Sequence, residues 1–185
     1  MLAAVFYANG EGAGLDAALA GVATTLRGAG VRLAGAVQFN TPRRDRCRCE
    51  MSLEDLATGR VVDISEDRGP LARGCRLNPS ALETVVGLAT AAVEQGADLL
   101  IVNKFGKHEI EGGGFRAVIA AAVDAGIPVL VAVGRDNAAA WQSFTDGGFT
   151  VLPAEIRRIL AWCDHAMERD RSPRYDPTAH PASRC

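Results

Sequence analysis

No apolar run in this 185-residue chain reaches the roughly 18 residues needed to cross a bilayer, so no membrane span is expected. Positive charge is not in excess either. Lysine and arginine number 20 against 22 acids, a net charge of -2, whereas a chain held to nucleic-acid phosphates is usually basic. No basic residue precedes the first apolar stretch in MLAAVFYANG, so no secretory leader is expected and the expected location is cytoplasmic. Cysteine is sparse and odd in number: Cys47, Cys49, Cys75, Cys163 and Cys185. That count argues against a disulfide framework and for free thiols. There is no internal repeat, no Ser-His-Asp arrangement to be built from 3 histidines, and no paired-carboxylate site.

What is present is a compact-protein composition, 48% hydrophobic with a mean hydropathy of +0.07. The pattern predicts one domain over 1–169 and a polar, Pro-rich, disordered tail over 170–185. The run LAAVFYA (2–8) predicts a strand buried on both faces. Leu15, Ala18, Leu19, Val22, Ala23 and Leu26 recur at helical spacing, and VRLAGAVQF (31–39) predicts a second strand. CEMSLEDLATGRVVDIS predicts a β-hairpin turning at Thr58-Gly59, inserted over about 40–77. Asn78 and Pro79 predict a helix start. Beyond it come strands at ADLLIVN (97–103) and IPVLVAV (127–133), helices over 115–125 and from Asp136, a short strand FTVL and a closing helix over 153–168. The expected fold is doubly wound α/β, with a mostly parallel sheet and a hairpin insertion.

Between the first strand and helix stand Gly10, Gly12 and Gly14. A phosphate loop of the form G-x-x-x-x-G-K-[ST] wraps phosphates in backbone N–H groups, adds a lysine, and holds magnesium with a hydroxyl. With Gly14 as the last glycine, the lysine slot is Leu15 and the hydroxyl slot Asp16; with Gly12, they are Ala13 and Gly14. Neither register works. What remains is a set of small residues at a helix N-terminus, where N–H groups and the macrodipole favour an anion. The competing reading is a tight turn and nothing more.

The stretch GEGAGLDAALAGVATTLRGAGVRLAGAVQ and the later EQGADLLIVNKFGKHEIEGGGFRAVIAAAVDAGIPVLVAVGR resemble the small P-loop nucleoside-triphosphatases of archaea and bacteria. More closely, the span from about 2 to 162, with RCEMSLEDLATG, GCRLNP, NKFGKHE and WQSFTDGG, resembles a bacterial family of unknown function. Its genes often lie beside molybdate-transport genes. The first resemblance implies a P-loop-type sheet and, in the second strand motif, an aspartate and a glutamate that organise magnesium and water. Those slots read Asn103 and Lys104 here. Without lysine, hydroxyl and both acids, efficient ATP hydrolysis is not expected, because phosphoryl transfer depends on positioning and charge stabilisation.

Ligands of open α/β sheets bind outside the carboxyl ends of the strands. The candidates there are Asn9, Gly10, Gly12, Gly14, Asn40, Asn103, Lys104 and Arg135, with Asp16, Glu109, Glu111 and Asp136 as the nearby acids. Lys104 could replace the missing loop lysine; its alternative is a salt bridge to Glu109 or Glu111. Such a site would hold a nucleotide's phosphates, phosphate or molybdate, with no required cofactor. Arginines over 43–48 and 68–76 make a solvated loop or a protein-partner face, and apolar helix faces leave a homodimer open. Three readings stand: a binding protein for a nucleotide or small oxyanion, in molybdenum uptake or cofactor supply by the resemblance; a divergent nucleotidase or nucleotide-dependent transferase; and a thiolate metal or redox protein using Cys47, Cys49 and Cys75, with Cys49 and Cys75 the stronger ligands.

Overall fold

A strand with helices over both faces has no place for polar side chains, and the sequence LAAVFY meets that demand as β1, Leu2–Tyr7. Ala3, Ala4 and Val5 are fully buried. β1 lies parallel to two later strands, numbered in chain order as β6 (Val129–Gly134) and β7 (Thr150–Leu152). β6 pairs with β5 (Leu99–Phe105), and β5 with β2 (Leu33–Pro42), again parallel. In this computed structural model the described residues are 1–42, 49–66 and 77–171. The arginine loops over 43–48 and 68–76, Cys47, Cys75 and the tail from 172 therefore lie outside them.

The expected hairpin is present. β3 (Cys49–Asp55) and β4 (Val61–Asp63) run antiparallel beside β2, giving the order β4-β3-β2-β5-β6-β1-β7. The hairpin turn is closed by Asp55, whose Oδ2 accepts the Thr58 N–H at 2.8 Å and the Thr58 hydroxyl at 2.6 Å. A mostly parallel, doubly covered sheet with one antiparallel hairpin is an α/β fold compatible with the P-loop type.

Helices α1 (Gly12–Gly28) and α6 (Ile156–Arg171) cover one face; α2 (Pro79–Glu94), α4 (Arg116–Asp124) and α5 (Ala138–Thr145) cover the other. β5 serves both because its side chains alternate: Leu99 and Ile101 join the core under α1, Leu100 and Val102 the core under α2. α2 starts where the sequence predicts. The Asn78 side chain accepts the Ala81 N–H at 3.2 Å, with Pro79 at the first helical position, a cap that contributes about 1 kcal/mol.

Several boundaries shift: β5 and β6 each start two residues later than expected. β2 starts two residues later than expected and runs on to Pro42, because β3 pairs with its extended end. The closing helix is Ile156–Arg171 rather than 153–168. A four-residue helix, α3 (Lys107–Ile110), follows β5 where the sequence shows no periodicity.

Candidate functional site

Parallel strands end together, so β1, β2, β5 and β6 deliver their last residues to one edge. After Tyr7 the chain turns through Ala8–Glu11. Glu11 donates its N–H to the Ala8 carbonyl at 3.1 Å, and its carboxylate accepts the Ala8 N–H at 2.7 Å. Gly10 sits at φ +92°, a backbone that side chains other than glycine's rarely adopt. The loop is thus shorter than three spaced glycines suggest: Gly12 and Gly14 already belong to α1. No side chain caps this helix, and the N–H groups of Gly12, Ala13 and Gly14 meet no acceptor among the described residues.

Neither helical glycine is required by the fold. A Cβ at Gly14 would meet nothing within 4 Å, and one at Gly12 only the Tyr7 ring at an ordinary 3.6 Å. Glycine in a helix costs about 0.5–1 kcal/mol relative to alanine. Two such glycines in one first turn keep the backbone bare.

Behind this turn lies a carboxylate that the sequence placed only among the acids near the candidate site. Asp16 is buried in the second turn of α1. Its Oδ1 accepts from Asn103 Nδ2 at 3.0 Å and its Oδ2 from Asn40 Nδ2 at 2.9 Å, while Asn40 Oδ1 accepts from Gln38 Nε2 at 2.9 Å. An ionised carboxylate only accepts, so it dictates that both asparagines turn their nitrogens toward it. Burial, and then the charge of Asp16, push the Tyr7 hydroxyl pKa up and keep the phenol protonated. Gln38 is the member of this network that sequence reading left out of the site; only its position near the end of β2 signalled it.

The chain has two lysines, Lys104 and Lys107, and both stand on this edge. The Lys104 ammonium lies over the Tyr7 ring, 5.6 Å from its centroid, at the foot of the glycine turn. It does not pair with Glu109 or Glu111. Glu109 is buried and accepts the N–H groups of Gly106 at 2.8 Å and Phe115 at 3.2 Å, and Glu111 stands 3.6 Å from Lys107. Arg135 is exposed in the short turn after β6, and Asn9 donates to Asp136 at 3.2 Å, tying the glycine turn to that segment. Lys104 and Asn103 also line a cleft of about 590 Å³ between β3, β5 and the start of α2. The structure thus brings together Asn40, Asn103, Lys104 and the glycine turn, and leaves Arg135 on its outer rim.

A family model described as "Protein of unknown function (DUF2478)" matches residues 2–162. The chain belongs to this family. Over 165 residues, 89% of this chain, it is 39% identical to the Molybdenum import ATP-binding protein ModC 2 of Bradyrhizobium diazoefficiens. The chain spans only 18% of that relative's length. No solved structure matches it.

The residues do not fit the magnesium ion that P-loop enzymes employ. Both oxygens of Asp16 are taken by carboxamide nitrogens, and the strand positions that would add acids hold Asn103 and Lys104. Among the described residues no group of three or more His, Cys, Asp or Glu side chains could hold a metal. Cys49 opens β3, Cys75 is outside the described residues, and Cys163 is buried on the core-facing side of α6, its thiol pushed up to about 12 by burial and by Asp164.

Proposed function

We propose that DUF2478 of this chain is a magnesium-independent binding protein for a nucleotide's phosphates or a small tetrahedral oxyanion, rather than a phosphotransfer enzyme. The observation that carries the reading is the first turn of α1: two glycines whose Cβ positions are open, and three N–H groups without acceptors. An anion seated there is held by N–H dipoles, by the helix end and by Lys104, and charge-assisted hydrogen bonds contribute roughly 1.5–3 kcal/mol each. The buried charge of Asp16 repels an anion from the inner network, which supports a seat on the glycine turn rather than behind it.

The setting is molybdenum uptake or cofactor supply. Its support is the relative named for molybdenum import and ATP binding, in which a DUF2478-like stretch is one part of a much longer chain. This chain would then act beside such import machinery.

A thermal-shift panel on metal-free protein tests this with ATP, GTP, ADP, phosphate, sulfate, molybdate and tungstate, each with magnesium and with EDTA. At a hundredfold excess over Kd a ligand adds about 2.7 kcal/mol, a shift of roughly 5–10 °C for a domain of this size. The expected result is a shift by at least one anion that is the same in magnesium and in EDTA. A shift seen only with magnesium, or turnover of ATP, would replace this reading with the nucleotidase one. Silence from every anion would reduce the glycine turn to a turn.

A further inference from the structure

Two large concavities flank the sheet. One, about 560 Å³, lies at the opposite end of the strands, and its arginines are already engaged. Arg27 pairs with Glu54 and Arg32 with Asp98, each at 2.8 Å. The other is the cleft of about 590 Å³ between β3, β5 and the start of α2. Its floor is Met51, Leu53, Ile64, Leu77, Leu82 and Phe115, of which Met51 and Leu77 are only half-buried. A small inorganic oxyanion gains nothing from such a floor. The size is that of a site for an organic molecule, which runs about 300–1,000 Å³ with a mostly apolar lining.

The charge at the mouth of this cleft is uneven. Both lysines of the chain line it, with His108 beside them. Its acids are committed: Glu109 to the N–H groups of Gly106 and Phe115, and Glu111 to Lys107 at 3.6 Å. His108 stands 3.9 Å from Glu83. Lys104 is left without an acidic partner among the described residues. Its place comes from a break in β5. Pairing with β6 runs regularly to Val102↔Val131 and resumes at Phe105↔Val133, so Asn103 and Lys104 together stand against Ala132 alone. The extra residue returns Phe105 to the core that holds Leu100 and Val102, and such a bulge re-aims the side chain beside it. Lys104 borders the cleft while its ammonium lies over the Tyr7 ring, the same ring that a Cβ at Gly12 would touch. One cation thus connects the apolar cleft with the bare first turn of α1.

We propose that the cleft and the glycine turn are two halves of one site, whose ligand is a phosphate monoester carrying a flat ring. The phosphate sits on the α1 N–H groups and Lys104, and the ring packs on the cleft floor. This rests on the reading of the first turn of α1 as an anion seat, and between an organic ester and a bare oxyanion it selects the ester. Each half alone is a weak site. Joined in one ligand, the second contact becomes intramolecular and adds to the first.

Titration calorimetry on the full chain in EDTA compares phosphate, glycerol 3-phosphate, phenyl phosphate, nucleoside monophosphates and molybdate. Phenyl phosphate or a nucleoside monophosphate should bind at least about tenfold tighter than phosphate and glycerol 3-phosphate, because only these bring a ring to the floor. Phosphate should displace them, as one shared seat requires. Which of the two leads identifies the ring as a simple aryl group or as a nucleobase. Leu77→Trp, filling the cleft, should bring the ring-bearing esters to within about threefold of phosphate and leave phosphate itself unchanged. Met51→Trp should do the same and stands in if Leu77→Trp does not fold; with neither folded, glycerol 3-phosphate against phenyl phosphate decides. Lys104→Gln should weaken phosphate and the esters alike. Ring-bearing esters no tighter than phosphate overturn the proposal and leave the anion seat standing, as does a ring advantage that survives the tryptophan variants. Molybdate tighter than every ester also overturns it. Silence from every compound overturns both readings.

Discussion

Gly14 lowers the stability of the empty protein for no reason found in its surroundings. It is helical, its Cβ position is open, and alanine would fit. Gly14→Ala should therefore raise stability by about 0.5–1 kcal/mol, a Tm increase of roughly 1–4 °C for a domain of this size. It should also weaken binding of the anion severalfold, because a methyl group would stand where the ligand approaches the backbone. Melting curves with and without ligand read both effects in one experiment. A stabilised variant that binds as tightly as the parent would show that the turn faces nothing. This glycine was legible in the sequence because spacing alone marks it. Asp16 was legible only as an acid near a helix start, since its partners come from strands far away in the chain; Asn103 is 87 positions distant. Nothing local in LDAAL signals that this carboxylate orients three carboxamides.

At the scale of elements, the segment between β5 and α4 is organised by one side chain. The Glu109 carboxylate takes the N–H groups of Gly106 and Phe115, closing the loop that aims the end of β5 at the site. Gly114 lies against it with φ +55°, and a Cβ there would run into Glu109 Oε1. Gly114→Ala combines a strained backbone with displacement of a buried, doubly bonded carboxylate, and should destabilise the chain by about 2–4 kcal/mol. Urea denaturation measures this, and a loss under about 0.5 kcal/mol would mean that Glu109 does not close the loop. The long elements were readable because continuous apolar runs and helical spacing survive in any context. The helix α3 was not, because four residues are too few for a period and its geometry is set by the Glu109 bonds rather than by propensity.

Over the whole molecule, one sheet separates two cores, and each core holds one of the two tryptophans. Trp141 of α5 packs with Phe105 and Phe144, while Trp162 of α6 lies in the core shared with α1. The strand order and the hairpin could be anticipated as a class, but not this division of aromatics, which depends on which helix crosses to which face. The two cores share β5, whose alternate side chains feed both, so neither face can lose its packing while the other keeps its own. Trp141→Phe and Trp162→Phe variants each leave one reporter. Neither indole N–H has a partner among the described residues, so replacing it with phenylalanine strands no acceptor there and should cost below about 1.5 kcal/mol. Expressed as fraction unfolded, the fluorescence of each variant should coincide with its own circular dichroism across a urea titration, as a two-state domain requires. An anion on the glycine turn is held by the start of α1 and by Lys104 of β5, yet it should move the Trp141 and Trp162 transitions by the same free energy. A ligand that shifted the Trp162 reporter alone would show that the faces melt separately and that the site is supported by one core rather than by the whole sheet.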